Sequence, residues 1–284
     1  MGANVVVGVD ASEASQGALD WAADAAMARR CVLEVVHAVR QPAWGFDMDL
    51  DHVLEQQGKN LLEASAERAE RALPGLRVRT VLSTDTPTGA LLARAHDAAL
   101  LVVGSRGPDV LGGPAGSAGY RLAAAARCPV ALVPARRGST ARTVVVGVDG
   151  SPDGRAALAV AVAEAELAGA RVEVVRAWDA PELHESVGHV RHGLADALRE
   201  QEAAALRELL GPVRLRHPDV PIVQRVVRGR PARALLDAAR DAELLVVGAH
   251  GRTGGDPSVL GAVSHAVVLH ASCPVLVARE RQHP

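Results

Sequence analysis

Apolar residues along the chain fall into short unbroken runs, separated by longer stretches in which apolar and polar positions mix. In the first half the runs are VVVGV, VLEVVHAV, RVRTVLS, ALLVVG and PVALV; in the second they are VVVGV, RVEVVRA, IVQRVVR, LLVVG and PVLVA. Continuous Val and Leu runs of this length predict strands buried on both faces, as in a parallel sheet. Between them lie GALDWAADAAMA, LLEASAERAERAL and ALREQEAAALRELL, with small or apolar residues at helical spacing. Strands alternating with helices predict an α/β fold with right-handed crossovers. Helix starts are marked too: Ser12 follows Asp10, and Ser151 precedes Pro152 as an N-cap with proline in the first turn.

The pattern is written twice. NVVVGVDAS, from Asn4 to Ser12, returns as TVVVGVDGS from Thr143 to Ser151, an offset of 139 residues. LLVVGSRG from Leu100 returns as LLVVGAHG from Leu244, and CPVALV from Cys128 returns as CPVLVA from Cys273. The halves therefore align along their length with small insertions, and each is a domain rather than one blade of an array. The expected division is residues 1–136, a polar linker at 137–142 and residues 143–284. Each domain is expected to be a five-stranded parallel sheet with helices on both faces.

Composition narrows the function classes. Hydrophobic residues make up 49% of 284 residues but aromatics only 2%, so the cores must be aliphatic. Lys and Arg total 31 against 33 Asp and Glu, a net charge of −2. With neither a basic footprint nor aromatic platforms for bases, no nucleic-acid partner is expected. No apolar segment approaches the roughly 20 residues of a membrane span, so no membrane partner is expected either. The opening MGANVVVGVD lacks a basic stretch followed by a long apolar core, and a cytoplasmic location is expected. Cys31, Cys128 and Cys273 form an odd set without metal spacing and read as reduced, buried thiols.

Three phosphate-binding patterns can be tested against the glycines. A Walker loop needs Gly-Lys-Ser/Thr, and the sole lysine, Lys59, sits in QGKN on a helical stretch. A dinucleotide fingerprint fails as well: VVVGVDASEAS offers one glycine and then Asp10, which would repel a pyrophosphate. The third pattern fits. Gly248, Gly251 and Gly261 give G-x2-G-x9-G directly after the fourth strand of the second half, and Ser264 lies in the next helix's first turn. Glycines let backbone N–H groups approach an anion, and the helix N-terminus adds donors and a favourable dipole. Asp149, at the end of the first strand, is left to accept hydrogen bonds from ribose hydroxyls or an adenine edge.

With VVVGVD opening each half, RGRPARALLDAARDAELLVVGAHG in the second, and the glycine loop ahead of SHAVVLHASCPVLVAR, the chain resembles the universal stress protein family in its tandem form. The resemblance covers essentially the whole chain and implies that both domains are Rossmann-like. It implies ATP, with or without Mg2+, bound through G-x2-G-x9-G-[S/T], although a second class of the family lacks the motif. It further implies pairing of last strands, here between the chain's own two domains as a pseudo-dimer, with a homodimer left open. In the second half it assigns Gly147, Val148, Asp149 and Ala177 to the nucleoside end, and Gly248, His250, Gly251, Gly261, Val263 and Ser264 to the triphosphate. Ala262 departs from the pattern, which wants Ser or Thr there. In the first half the counterparts are Gly8, Val9, Asp10, Ala38, Gly104, Arg106, Gly107, Gly116 and Ser117. There the loop is one residue short, Gly119 replaces the later hydroxyl, and PDVLGGPA carries two prolines that lack an N–H.

The implied role is an ATP-binding regulator in stress response or growth arrest, without a catalytic residue, since neither loop offers an obvious base for water. A non-nucleotide interaction module and a slow ATPase are the alternatives. Other polar groups have blander readings. His184, His189, His192 and Asp196 read as a solvated helix face rather than a zinc site, His37 as a satisfied strand-end histidine, and Trp44 and Trp178 as packing residues.

Overall fold

The computed structural model describes residues 4–39, 48–105, 117–135, 141–178, 188–252, 254, 256 and 259–280. The strands of the first half are β1 (Val5–Gly8), β2 (Leu33–Ala38), β3 (Val78–Ser83), β4 (Leu100–Ser105) and β5 (Val130–Pro134). Its helices are α1 (Glu13–Ala28), α2 (Met48–Ala72), α3 (Pro87–Ala95) and α4 (Ser117–Ala125). The second half repeats the order with strands β6 (Thr143–Gly147), β7 (Arg171–Trp178), β8 (Ile222–Arg228), β9 (Leu244–Gly248) and β10 (Val275–Ala278). Its helices are α5 (Pro152–Ala168), α6 (Gly188–Arg216), α7 (Pro231–Ala238) and α8 (Ala262–His270).

All ten strands share one sheet, in the order β3-β2-β1-β4-β5-β10-β9-β6-β7-β8. Within each half every pairing is parallel, for example Val5 beside both Leu33 and Leu100, and Val144 beside both Val172 and Leu244. The halves meet where β5 and β10 pair antiparallel, with Leu276 opposite Ala131. Each half is thus the expected α/β unit, and the chain's two last strands fuse the sheets. In each half strand order reverses between the first and fourth strands, which opens a crevice beyond their carboxyl ends.

Helices cover both faces. On one, α1, α2, α5 and α6 bury Leu19, Leu62, Leu158 and Leu206 against Val5, Val7, Val144 and Val146. On the other, α3, α4, α7 and α8 bury Leu91, Leu122, Leu235 and Val267 against Val6, Leu101, Val145 and Leu245. The helix starts behave as read: Ser12 accepts the Ser15 N–H at 3.2 Å, and Ser151 accepts the Gly154 N–H at 3.0 Å. Two helices run further than their amphipathic segments suggested. In α2 the buried Leu62, Ser65 and Ala69 all fall in the second half of the helix, and in α6 the fully buried Leu206 and Leu210 do likewise. The preceding turns are mainly polar and leave little hydrophobic periodicity to read. Lys59 lies on α2, in an i,i+4 ion pair with Glu55 at 2.6 Å.

Candidate functional site

The second-half crevice is built from the ends of β6, β7 and β9. Val148 continues β6 with its N–H on Val175 O at 3.0 Å, and Asp149 follows. One carboxylate oxygen of Asp149 accepts the Ser151 N–H at 2.9 Å and the Ser151 hydroxyl at 2.6 Å. The other accepts the Arg252 N–H at 2.9 Å, so this side chain ties the loop after β6 to the loop after β9. At Gly248 a Cβ would sit 2.8 Å from the backbone carbon of Asp153; only glycine lets the end of β9 pass under the first turn of α5. Gly104 meets the same constraint at 2.7 Å from Ala14.

Beyond Gly248 the loop is held by its own chain. The His250 N–H donates to Asp153 at 3.0 Å, and the ring Nδ1 lies 3.2 Å from the same oxygen. His250 Nε2 faces the carbonyls of Val259 and Asp256 at 2.8 and 3.1 Å. The Gly261 N–H donates to Ala249 O at 2.9 Å and closes the loop on its own start. Ser264, buried in the first turn of α8, donates its hydroxyl to Gly248 O at 2.5 Å. Gly261 is the N-cap of α8 and no side chain caps that helix, whereas α1 and α5 have serine caps. The N–H groups of Ala262 and Val263, which open this helix, have no intrahelical acceptor. Ala177, near the end of β7, and Val263 are partly buried against the apolar cluster shared by α7 and α8.

In the first half Gly8, Val9, Asp10, Ala38 and Gly104 come together around a cleft of about 140 Å3, with Ala118 and Gly119 of α4 on its far wall. Asp10 caps its own turn, accepting the Ser12 N–H at 3.1 Å and the Ser12 hydroxyl at 2.5 Å. Arg106, Gly107 and Gly116 lie outside the described residues; Ser117 opens α4.

Three residues of these sites had not been singled out. Asp153 accepts both the His250 and Glu280 N–H groups, through different oxygens. Tyr120 of α4 reaches across to the second half, its hydroxyl accepting the Leu260 N–H at 3.1 Å. Arg279 donates to the carbonyls of Ala123 and Ala124 at the end of α4. For Tyr120 one signal existed: it is the single tyrosine of the chain.

The remaining candidates resolve simply. His37 Nδ1 lies 2.7 Å from Val9 O, the arrangement of a satisfied strand-end histidine. Trp178 is buried at the end of β7, with the Arg228 guanidinium 5.9 Å from its ring centre. Among the described residues no group of three His, Cys, Asp or Glu could hold a metal ion. His184 and Trp44 lie outside the described residues, as do the side chains of His189 and His192. Cys128 and Cys273 are buried thiols as expected, whereas Cys31, just past the end of α1, is only half-buried. Among the described residues no helix is long and apolar enough to cross a membrane.

Two copies of one plan match a known family twice over. The family model described as the universal stress protein family matches residues 1–134 and again 140–279. The chain belongs to the universal stress protein family. A universal stress protein of Mycobacterium tuberculosis is 35% identical over 289 residues, covering 97% of each chain. Another from that organism is 35% identical over 315 residues, covering 99% of this chain and 96% of its own. Among solved structures, a universal stress protein from Archaeoglobus fulgidus superposes with a TM-score of 0.72 at 17% identity over 98% of both chains, a likeness of fold. The two universal stress units here are consecutive parts of one polypeptide.

Proposed function

We propose that this universal stress protein binds ATP at the switch-point crevices and acts as a nucleotide-dependent regulator in stress response or growth arrest. The observation that carries the reading is the first-half cleft of about 140 Å3, which gathers Gly8, Val9, Asp10, Ala38 and Gly104 at one point. Apolar Val9 and Ala38 suit the flat face of a base, Asp10 suits hydroxyl or amino donors, and the following helix start suits phosphate. In the second half the uncapped N-terminus of α8 supports the same reading. A bound nucleotide would regulate by its differential affinity for two states of the protein.

A second reading, an interaction module of the same fold without nucleotide, draws on the second half. There Asp149 and Asp153 tie up the N–H groups of Arg252 and His250, so a nucleotide at that loop must compete with the chain's own carboxylates. Heating the purified protein and assaying the supernatant for adenine nucleotide, then titrating the emptied chain with MgATP, separates the two. One or two equivalents bound per chain are expected. Zero in both measurements overturns the nucleotide reading and leaves the interaction module.

A further inference from the structure

We infer that the two crevices are coupled through α4, with Tyr120 as the contact that carries the first half's state to the glycine loop of the second. This rests on the nucleotide reading for its ligand, although the contact itself does not.

The nine-residue helix α4 presents different groups to the two halves. Ala118, Gly119 and Leu122 line the first-half cleft. On the other side the Tyr120 hydroxyl accepts the N–H of Leu260, the residue immediately before the N-cap of α8. The Tyr120 ring also lies 4.9 Å from the His265 ring, tilted by 60°, one turn into α8. The same helix is gripped at its far end, where the Arg279 guanidinium donates to the carbonyls of Ala123 and Ala124. The next residue, Glu280, gives its N–H to Asp153, whose other oxygen holds the His250 N–H. Both ends of the second half's glycine loop therefore connect to one short helix of the first half.

A helix of nine residues moves as a rod. A ligand that settles α4 against the first cleft fixes the position of Tyr120, and with it the acceptor that holds Leu260 and the entry to α8. Ordering once what both sites need favours the second binding event, so the coupling is positive. By reciprocity, filling the second loop tightens the first cleft by the same factor.

The test uses hydrogen exchange of the full chain, read on the peptide spanning residues 259–265. In a Gly251→Asp chain, whose new carboxylate opposes phosphate at the second loop, MgATP can fill only the first cleft. The thermal midpoint of this variant checks that it remains folded. Exchange in the 259–265 peptide is expected to slow about fivefold or more on adding MgATP, the lower end of ordinary coupling. Tyr120→Phe, which keeps the ring and removes the acceptor, is expected to abolish that slowing while leaving the affinity for MgATP within twofold.

A second arm needs no nucleotide. Gly119→Ala places a methyl group 3.0 Å from the Leu132 side chain on the cleft side of α4. It is expected to change exchange at the 259–265 peptide severalfold when Tyr120 is present and not when residue 120 is Phe. If MgATP never binds but this arm responds, the nucleotide reading falls and the coupling stands. If MgATP binds and neither arm moves, or both move equally without the hydroxyl, the coupling is overturned.

Discussion

Burial pushes the Cys273 thiol up to about 11 from an ordinary value of 9.0, because a thiolate in this apolar setting loses its hydration. Backbone N–H groups of Cys273 and Leu245 pull the other way and do not prevail. At pH 8 the thiolate fraction is then about one in a thousand, and only the thiolate attacks a disulfide or an alkylating agent. An aromatic disulfide reagent at pH 8 should therefore label half-buried Cys31 well before Cys273. The folded-state value lies above the unfolded one, so this group's contribution to stability is intact below about pH 9. It is lost as pH rises toward 11, where the unfolded chain has released a proton that the native state still holds. A Cys273→Ala chain should show a shallower decline across that window in urea midpoints. Equal labelling rates at the two cysteines would contradict the assignment of Cys273 as a sealed packing residue.

The two halves start their first helices in the same way but at different depths. Ser12 and Ser151 perform the same cap on α1 and α5, but Ser12 is exposed and Ser151 is 4% exposed. Removing Ser151 also strips Asp149 of a 2.6 Å hydroxyl donor, while the buried Gly154 N–H loses its acceptor. Ser151→Ala should thus cost about 1–2 kcal/mol, at the upper end for a lost cap, and Ser12→Ala less, as measured by urea midpoints at unchanged slope. Equal losses would mean that burial at Ser151 adds nothing. These caps were legible in the sequence because a serine ahead of a helical pattern is a local signal, and the strands were legible because their Val and Leu runs are buried on both faces. The full extents of α2 and α6 were not, since their first turns are mainly polar. Asp153, Tyr120 and Arg279 escaped for another reason: each acts through a partner about a hundred residues or more away, and no spacing along the chain encodes such a contact. Of the candidate site, the strand-end residues could be read, but the hydrogen bonds that hold the second loop shut could not.

At the scale of the molecule the two halves share their cores. Val130 and Leu132 of β5 pack in the same apolar cluster as Val275 and Val277 of β10, and Ala131 and Val133 join Leu276 and Ala278 in the cluster on the opposite face. Three residue pairs of antiparallel ladder run between these layers, and Arg29, the C-cap of α1, forms an ion pair with Glu164 on α5 across the seam. Neither half can unfold without exposing apolar surface that the other covers, at roughly 25 cal/mol per Å2. Two independent domains would melt in two steps, each responding to changes in its own half; a shared core predicts a single cooperative transition. Differential scanning calorimetry should give one endotherm with calorimetric and van't Hoff enthalpies in agreement. A core truncation in either half, Leu122→Ala in α4 or Leu210→Ala in α6, should lower that one midpoint rather than split it, each removing about 2–5 kcal/mol. Two resolved endotherms, only one of them moved by each truncation, would show that the seam between β5 and β10 is too weak to join the halves, and that neither could then report its ligand state to the other through packing.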